Sequence, residues 1–153
     1  MDLAEIIQEG PRLHMTKSGE LITWEISHEL KEFLYENVTE QWNTLETGAG
    51  ISTLIFSIKG AKHTCIAPDK LLIERIEQYC RTKGISLRNM DFRVDCSEAV
   101  LPTMELENLD LVLIDGRHGF PAPFIDWYYT AGPLKINGLL IVDDVHELLS
   151  NSV

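Results

Sequence analysis

Leu45-Glu46-Thr47-Gly48-Ala49-Gly50-Ile51-Ser52-Thr53 joins the acidic end of an apolar segment to a Gly-x-Gly turn and the start of a helix. Gly48 and Gly50 admit backbone angles closed to other residues and let a ligand come up to the main chain. Ser52 and Thr53 then fall in the first helical turn, where unpaired N–H groups and the helix dipole favour an anionic or polar group. Strand, glycine turn and helix in that order form the ligand-holding unit of an α/β domain. The bland alternative is a tight strand-to-helix turn with no ligand.

Outward from this turn, strand-like and helix-like segments alternate, the pattern of a parallel sheet covered on both faces. The first strand covers about 42–46 and its helix about 51–59, ending near Gly60. His63 to Ala67 reads as the second strand. Asp69 to Lys83 is the second helix, with Leu72, Ile73, Ile76 and Tyr79 at helical spacing and Gly84 as its stop. Met90 to Val94 is a third strand, and Leu109 to Ile114 has the nearly continuous apolar run that a central parallel strand requires. Phe124 to Ala131 reads as a helix and Gly138 to Val142 as the fifth strand. Upstream, His28 to Tyr35 is helical with Ser27 as cap, whereas residues 1–20 are polar and weakly patterned. The organisation is a helical lead-in over 1–40 and one ligand-binding domain over 41–153.

Composition narrows the classes of function. With 153 residues and 44% hydrophobic content, the chain can bury a real core as one domain. A net charge of −11 with no basic cluster repels polyanions, so neither nucleic acid nor an anionic membrane is an expected partner. No signal peptide or membrane-spanning run is visible. Cys65, Cys80 and Cys96 are odd in number and lack C-x-x-C spacing, which argues against a disulfide framework or zinc and for a cytoplasmic setting.

The dinucleotide fingerprint G-x-G-x-x-G is met only in part. Thr53 takes the third glycine position, and Ala67 stands where an NAD enzyme carries an acid. Glu46 accepts hydrogen bonds from ribose hydroxyls but repels pyrophosphate, which favours S-adenosylmethionine over NAD. Ligands of such sheets bind outside the carboxyl ends of the strands. Acids gather at those ends: Glu46, Asp95 with Cys96, Asp115 in Asp115-Gly116-Arg117-His118, and Asp143-Asp144.

With these pieces in hand, the run from Thr23 to His146 resembles a class I S-adenosylmethionine-dependent methyltransferase, on the branch of metal-dependent, macrocin-type small-molecule O-methyltransferases. ETGAGIST is similar to that family's first motif, VDCSEAVLP to its adenine-side loop, and LDLVLIDGRHGF with GLLIVDD to its catalytic strand ends. The resemblance implies a Rossmann-like, doubly wound, mostly parallel sheet of order 3-2-1-4-5. It implies that Glu46, Gly48, Ala49, Gly50, Ser52 and Thr53 hold the methionine part and nearby ribose, and that Asp95 and Cys96 line the adenine. Asp69 stands in for the ribose acid that Ala67 replaces. Asp115, Asp143 and Asp144 match the family's metal ligands, and His118 its acid-x-x-His position.

Oxygen-only ligands favour magnesium, calcium or manganese. The implied chemistry is therefore a magnesium-held substrate hydroxyl, methylated while Asp115 helps place the metal and His118 takes the proton as general base. Plainer readings stand beside these. Asp143-Asp144 can cap a helix from Val145, His118 can be a loop histidine, and His146 a surface residue. The aromatic group Phe120, Phe124, Trp127, Tyr128 and Tyr129 can pack on the sheet or line an acceptor pocket. Trp24 can cover the cofactor or pack on the core.

The family usually continues past the fifth strand with a further helix and an antiparallel strand pair, whereas here nine residues follow Asp144. GLLIV is then an open edge, which implies a homo-oligomer that covers it or a truncated form of a longer enzyme. Three functions are weighed: a methyltransferase acting on a small hydroxylated acceptor, a non-catalytic S-adenosylmethionine-binding relative, and an NAD-type oxidoreductase.

Overall fold

The computed structural model describes residues 1–145, so His146 and any helix running on from Val145 lie outside the described residues. The chain begins with α1 (Leu3–Glu9), whose first turn is closed by a reciprocal Asp2–Glu5 capping box and whose end is Gly10 in the left-handed conformation. A two-stranded antiparallel hairpin follows, β1 (His14–Met15) with β2 (Leu21–Ile22). Next comes α2 (His28–Asn37), capped by Ser27. Residues 1–20 thus contain a helix and half a hairpin that apolar periodicity did not announce. In α1 the buried residues are Leu3 and Ile6, too few to show a period.

The main sheet is built from β3 (Asn43–Thr47), β4 (Lys62–Ile66), β5 (Met90–Arg93), β6 (Leu109–Ile114) and β7 (Leu134–Val142). Between them run α3 (Ile51–Lys59), α4 (Lys70–Lys83), the short α5 (Ser97–Val100) with a 3-10 turn over Leu101–Thr103, and α6 (Ala122–Ala131). All neighbours in the order β5-β4-β3-β6-β7 are parallel. Counted among themselves, these strands stand in the order 3-2-1-4-5, the Rossmann-like α/β arrangement anticipated from the sequence.

β3 and β6 are the inner strands on either side of the point where the chain changes direction, and both are almost wholly buried. On one sheet face the core joins Leu54, Ile55 and Phe56 of α3, Ile73 and Ile76 of α4, and Leu111 and Leu113 of β6. Leu3, Ile6, Leu13 and Ile26 of the N-terminal segment belong to the same cluster. Each such buried aliphatic side chain contributes roughly 1.5–3 kcal/mol relative to exposure. A smaller cluster on the other face holds Leu45, Ile66, Val112 and Ile114 against Leu101.

Two elements differ from expectation. β7 begins at Leu134, because the Asn137-Gly138 pair that reads as a turn is an irregularity inside the strand: Asn137 has φ 67°, and the register with β6 shifts between Leu109 and Leu111. On α6 the buried side chains are Ala122, Pro123, Asp126 and Thr130, while Phe124, Trp127 and Tyr128 are 50%, 53% and 73% exposed. Small residues let α6 lie close to its neighbours and turn the aromatics outward, which corrects the reading of that group as sheet packing.

Candidate cofactor cleft

The strand ends are tied into one rim. Gly48 N–H donates to Ile66 O at 2.9 Å, Asp115 N–H to Thr47 O at 2.9 Å, and Asp143 N–H to Ile114 O at 3.0 Å. Each bond extends a ladder by one residue beyond its strand and fixes where the following loop departs. Gly48 has φ 100°, and a Cβ there would stand 2.3 Å from the carbonyl oxygen of Asp115. The loops after β3 and β6 therefore touch backbone to backbone, and only glycine fits between them. Gly50 has a different reason to be glycine: its φ of 170° is ordinary extended backbone, but an added Cβ would lie 3.1 Å from His14 Nε2.

Above this rim lies a cleft of about 450 Å³. Gly48, Ala49, Gly50, Ser52, Asp69, Cys96, Asp115, His118, Asp143 and Asp144 all line it. The structure thus brings most of the sequence-derived site residues to one place. Glu46, Thr53 and Asp95 are placed elsewhere. Asp95 is exposed and its Oδ1 accepts the Cys96 N–H at 2.7 Å. Glu46 is buried beneath the turn, accepting hydrogen bonds from the hydroxyls of Ser52, at 2.6 Å, and Thr53. Thr53 Oγ1 in turn accepts the Gly50 N–H at 3.0 Å. His63 completes this buried network, with Nε2 3.2 Å from Glu46 Oε1, Nδ1 2.8 Å from Thr44 Oγ1, and its ring stacked on Phe56. In this arrangement Glu46 and Thr53 brace the glycine turn from below.

Six carboxylates line the cleft, Glu25, Asp69, Glu98, Asp115, Asp143 and Asp144, against one guanidinium, Arg117. Lys31 Nζ pairs with Glu25 at 2.6 Å, Arg75 Nη2 with Asp69 at 3.6 Å, and Arg117 with Glu98. Among the described residues, Asp144 is met by His118, whose Nε2 lies 3.6 Å from Asp144 Oδ2, and Asp115 and Asp143 make no ion pair. Burial first, and then the charges of Asp143, Glu46 and Asp144, push the Asp115 carboxyl up to about 8. Among the described residues, no group of three or more His, Cys, Asp or Glu side chains is arranged to hold a metal ion. Asp115, Asp143 and Asp144 share a wall without forming the ligand set the resemblance implies.

Two residues escaped the sequence reading, His14 on the cleft and Asp126 behind it. His14 reaches the cleft from β1 and meets Trp24 edge-on at 6.1 Å between ring centroids. Trp24, 63% exposed, lies on the cleft rather than in the core. The Thr16-Lys17-Ser18-Gly19-Glu20 stretch was the local signal, since a polar run with a glycine marks a turn. Asp126 is 1% exposed, lies beside Ser97 and Thr47, and has its carboxyl raised chiefly by burial. It was hidden because nothing in an aromatic helix pattern marks its acid as inward-facing.

No protein-family model and no curated protein matches the chain. Solved structures do. A cofactor-bound protein from MTB superposes with a TM-score of 0.68 at 17% identity, over 92% of this chain and 63% of that one. An S-adenosylmethionine-dependent methyltransferase from Thiobacillus denitrificans, in complex with S-adenosyl-L-homocysteine, gives 0.58 at 17% identity over 93% and 56%. A methyltransferase from Geobacter sulfurreducens gives 0.59 at 13% identity over 77% and 62%. The chain spans about three fifths of the length of these structures. What it shares with them is the fold, a Rossmann-like α/β sheet on which S-adenosylmethionine-dependent methyltransferases are built.

Proposed function

We propose that the cleft binds S-adenosylmethionine and that the chain methylates an oxygen of a small hydroxylated molecule. The observation that carries this reading is the charge of the cleft: among the described residues Asp115 and Asp143 make no ion pair and Asp144 is met by His118, at the switch point where such sheets take ligands. A sulfonium and an ammonium suit that wall, whereas the pyrophosphate of NAD would be repelled by it.

When bound, S-adenosylmethionine supplies a methyl carbon that the acceptor oxygen attacks as the carbon–sulfur bond breaks and its electron pair stays on sulfur. The turn at Gly48 and Gly50 gives the ligand access to the main chain, and Asp69, which caps α4 and lines the cleft, accepts hydrogen bonds from the ribose hydroxyls. His118 takes the acceptor's proton as general base. Asp144, beside His118 Nε2, stabilises the imidazolium as it forms. Orientation of the acceptor supplies much of the remaining rate gain.

The test is transfer of labelled methyl from S-adenosylmethionine to a panel of phenols, sugars and hydroxy acids. Turnover that falls about a hundredfold or more in His118→Ala, with S-adenosylhomocysteine affinity kept, supports the assignment. Cofactor binding with no transfer to any acceptor points instead to a non-catalytic relative.

A further inference from the structure

We infer that His14 is a specificity-determining residue of the cofactor cleft, its ring N–H donating to the α-carboxylate of the bound cofactor. The inference rests on the S-adenosylmethionine reading above and deepens it. That cofactor carries one anionic group, and a cleft lined by six carboxylates is hostile to it. Of the three basic side chains on the cleft wall, Arg117 is held by Glu98 and His118 lies against Asp144. His14 alone makes no ion pair or hydrogen bond among the described residues, and its Nε2 lies beside Gly50, in the turn that admits the ligand.

The ring is held there by the fold. Leu13, the preceding residue, is buried in the core, and its carbonyl accepts from Arg75 Nε. Trp24 packs edge-on against the imidazole from the far side of the hairpin. Burial, reinforced by Arg75 and opposed by Asp69, lowers the imidazole pKa. A neutral imidazole keeps one N–H, enough to donate to a carboxylate without the cost of burying a second cation near Arg75.

The experiment compares the full chain with His14→Phe, which keeps ring volume and the contact with Trp24 but has no N–H, and with His14→Gln, which restores a donor. Calorimetry measures S-adenosylhomocysteine against its decarboxylated analogue, which keeps the adenosine, sulfur and amine. The inference expects the wild type to prefer S-adenosylhomocysteine about tenfold or more, His14→Phe to bind the two alike, and His14→Gln to recover part of the preference. A preference unchanged in His14→Phe overturns it, as does an equal loss of both ligands, which marks a merely structural role. If the wild type binds neither ligand, the cofactor reading itself fails, and this inference with it. If His14→Phe does not fold, by circular dichroism, His14→Ala carries the same comparison.

Discussion

At the residue scale, the two glycines of the turn do different work and should respond differently to a methyl group. Gly48→Ala places a Cβ against the Asp115 carbonyl from a left-handed backbone position, which costs on the order of 3 kcal/mol and abolishes cofactor binding. Gly50→Ala brings its Cβ 3.1 Å from the His14 ring and into ordinary contact with the Trp24 carbonyl at 3.8 Å, with no backbone atom as close as at Gly48. Denaturant unfolding should show it less destabilised than Gly48→Ala; equal losses would contradict the backbone contact. Asp115 carries a pH signature. Its folded pKa of about 8 stands above the ordinary 3.8, so the folded state holds the proton more tightly than the unfolded one. Its contribution to stability is therefore fully present below pH 3.8 and is lost as pH rises toward 8. Asp115→Asn should remove that slope, gaining on the wild type at pH 8.5 relative to pH 5 in thermal unfolding. A cation bound beside Asp115 should also expel its proton. S-adenosylmethionine binding near pH 7.5 is expected to release protons, seen as heats that differ between buffers of unlike ionisation enthalpy.

At the scale of elements, α3 and α6 are contrasting helices. Leu54 on α3 is wholly buried, and Leu54→Ala should cost about 2–5 kcal/mol. Trp127 on α6 is half exposed, and Trp127→Ser should stay within roughly 0.5 kcal/mol. A large loss at Trp127 would show that α6 has a packing partner in solution. The same contrast explains what the sequence revealed. The strand Leu109–Ile114 was legible because burial on both sheet faces leaves a nearly continuous apolar run, and α3 and α4 because Gly60 and Gly84 mark their ends. The hairpin at His14 was not, since strands of two residues carry no period. Glu46 was read as facing the ligand because a strand-end acid and its turn are neighbours in sequence. The hydroxyls of Ser52 and Thr53, which claim it, become visible only when α3 folds back over β3.

At the scale of the whole molecule, β7 stands at one end of the sheet and pairs with β6 on one side. The expectation that another copy covers its outer side is checked by sedimentation across a range of concentrations. A mass that rises with concentration supports it; a constant monomer mass contradicts it. None of the described helices is long and apolar enough to cross a membrane. A cationic adenosyl ligand suits the cleft, where the fold's switch point coincides with Asp115 and Asp143, which make no ion pair among the described residues. Calorimetric titration of the chain with S-adenosylmethionine, S-adenosylhomocysteine and NAD tests it most directly. The account predicts saturable one-to-one binding of the two adenosyl ligands and none of NAD; binding of NAD alone, or of no ligand, would contradict it.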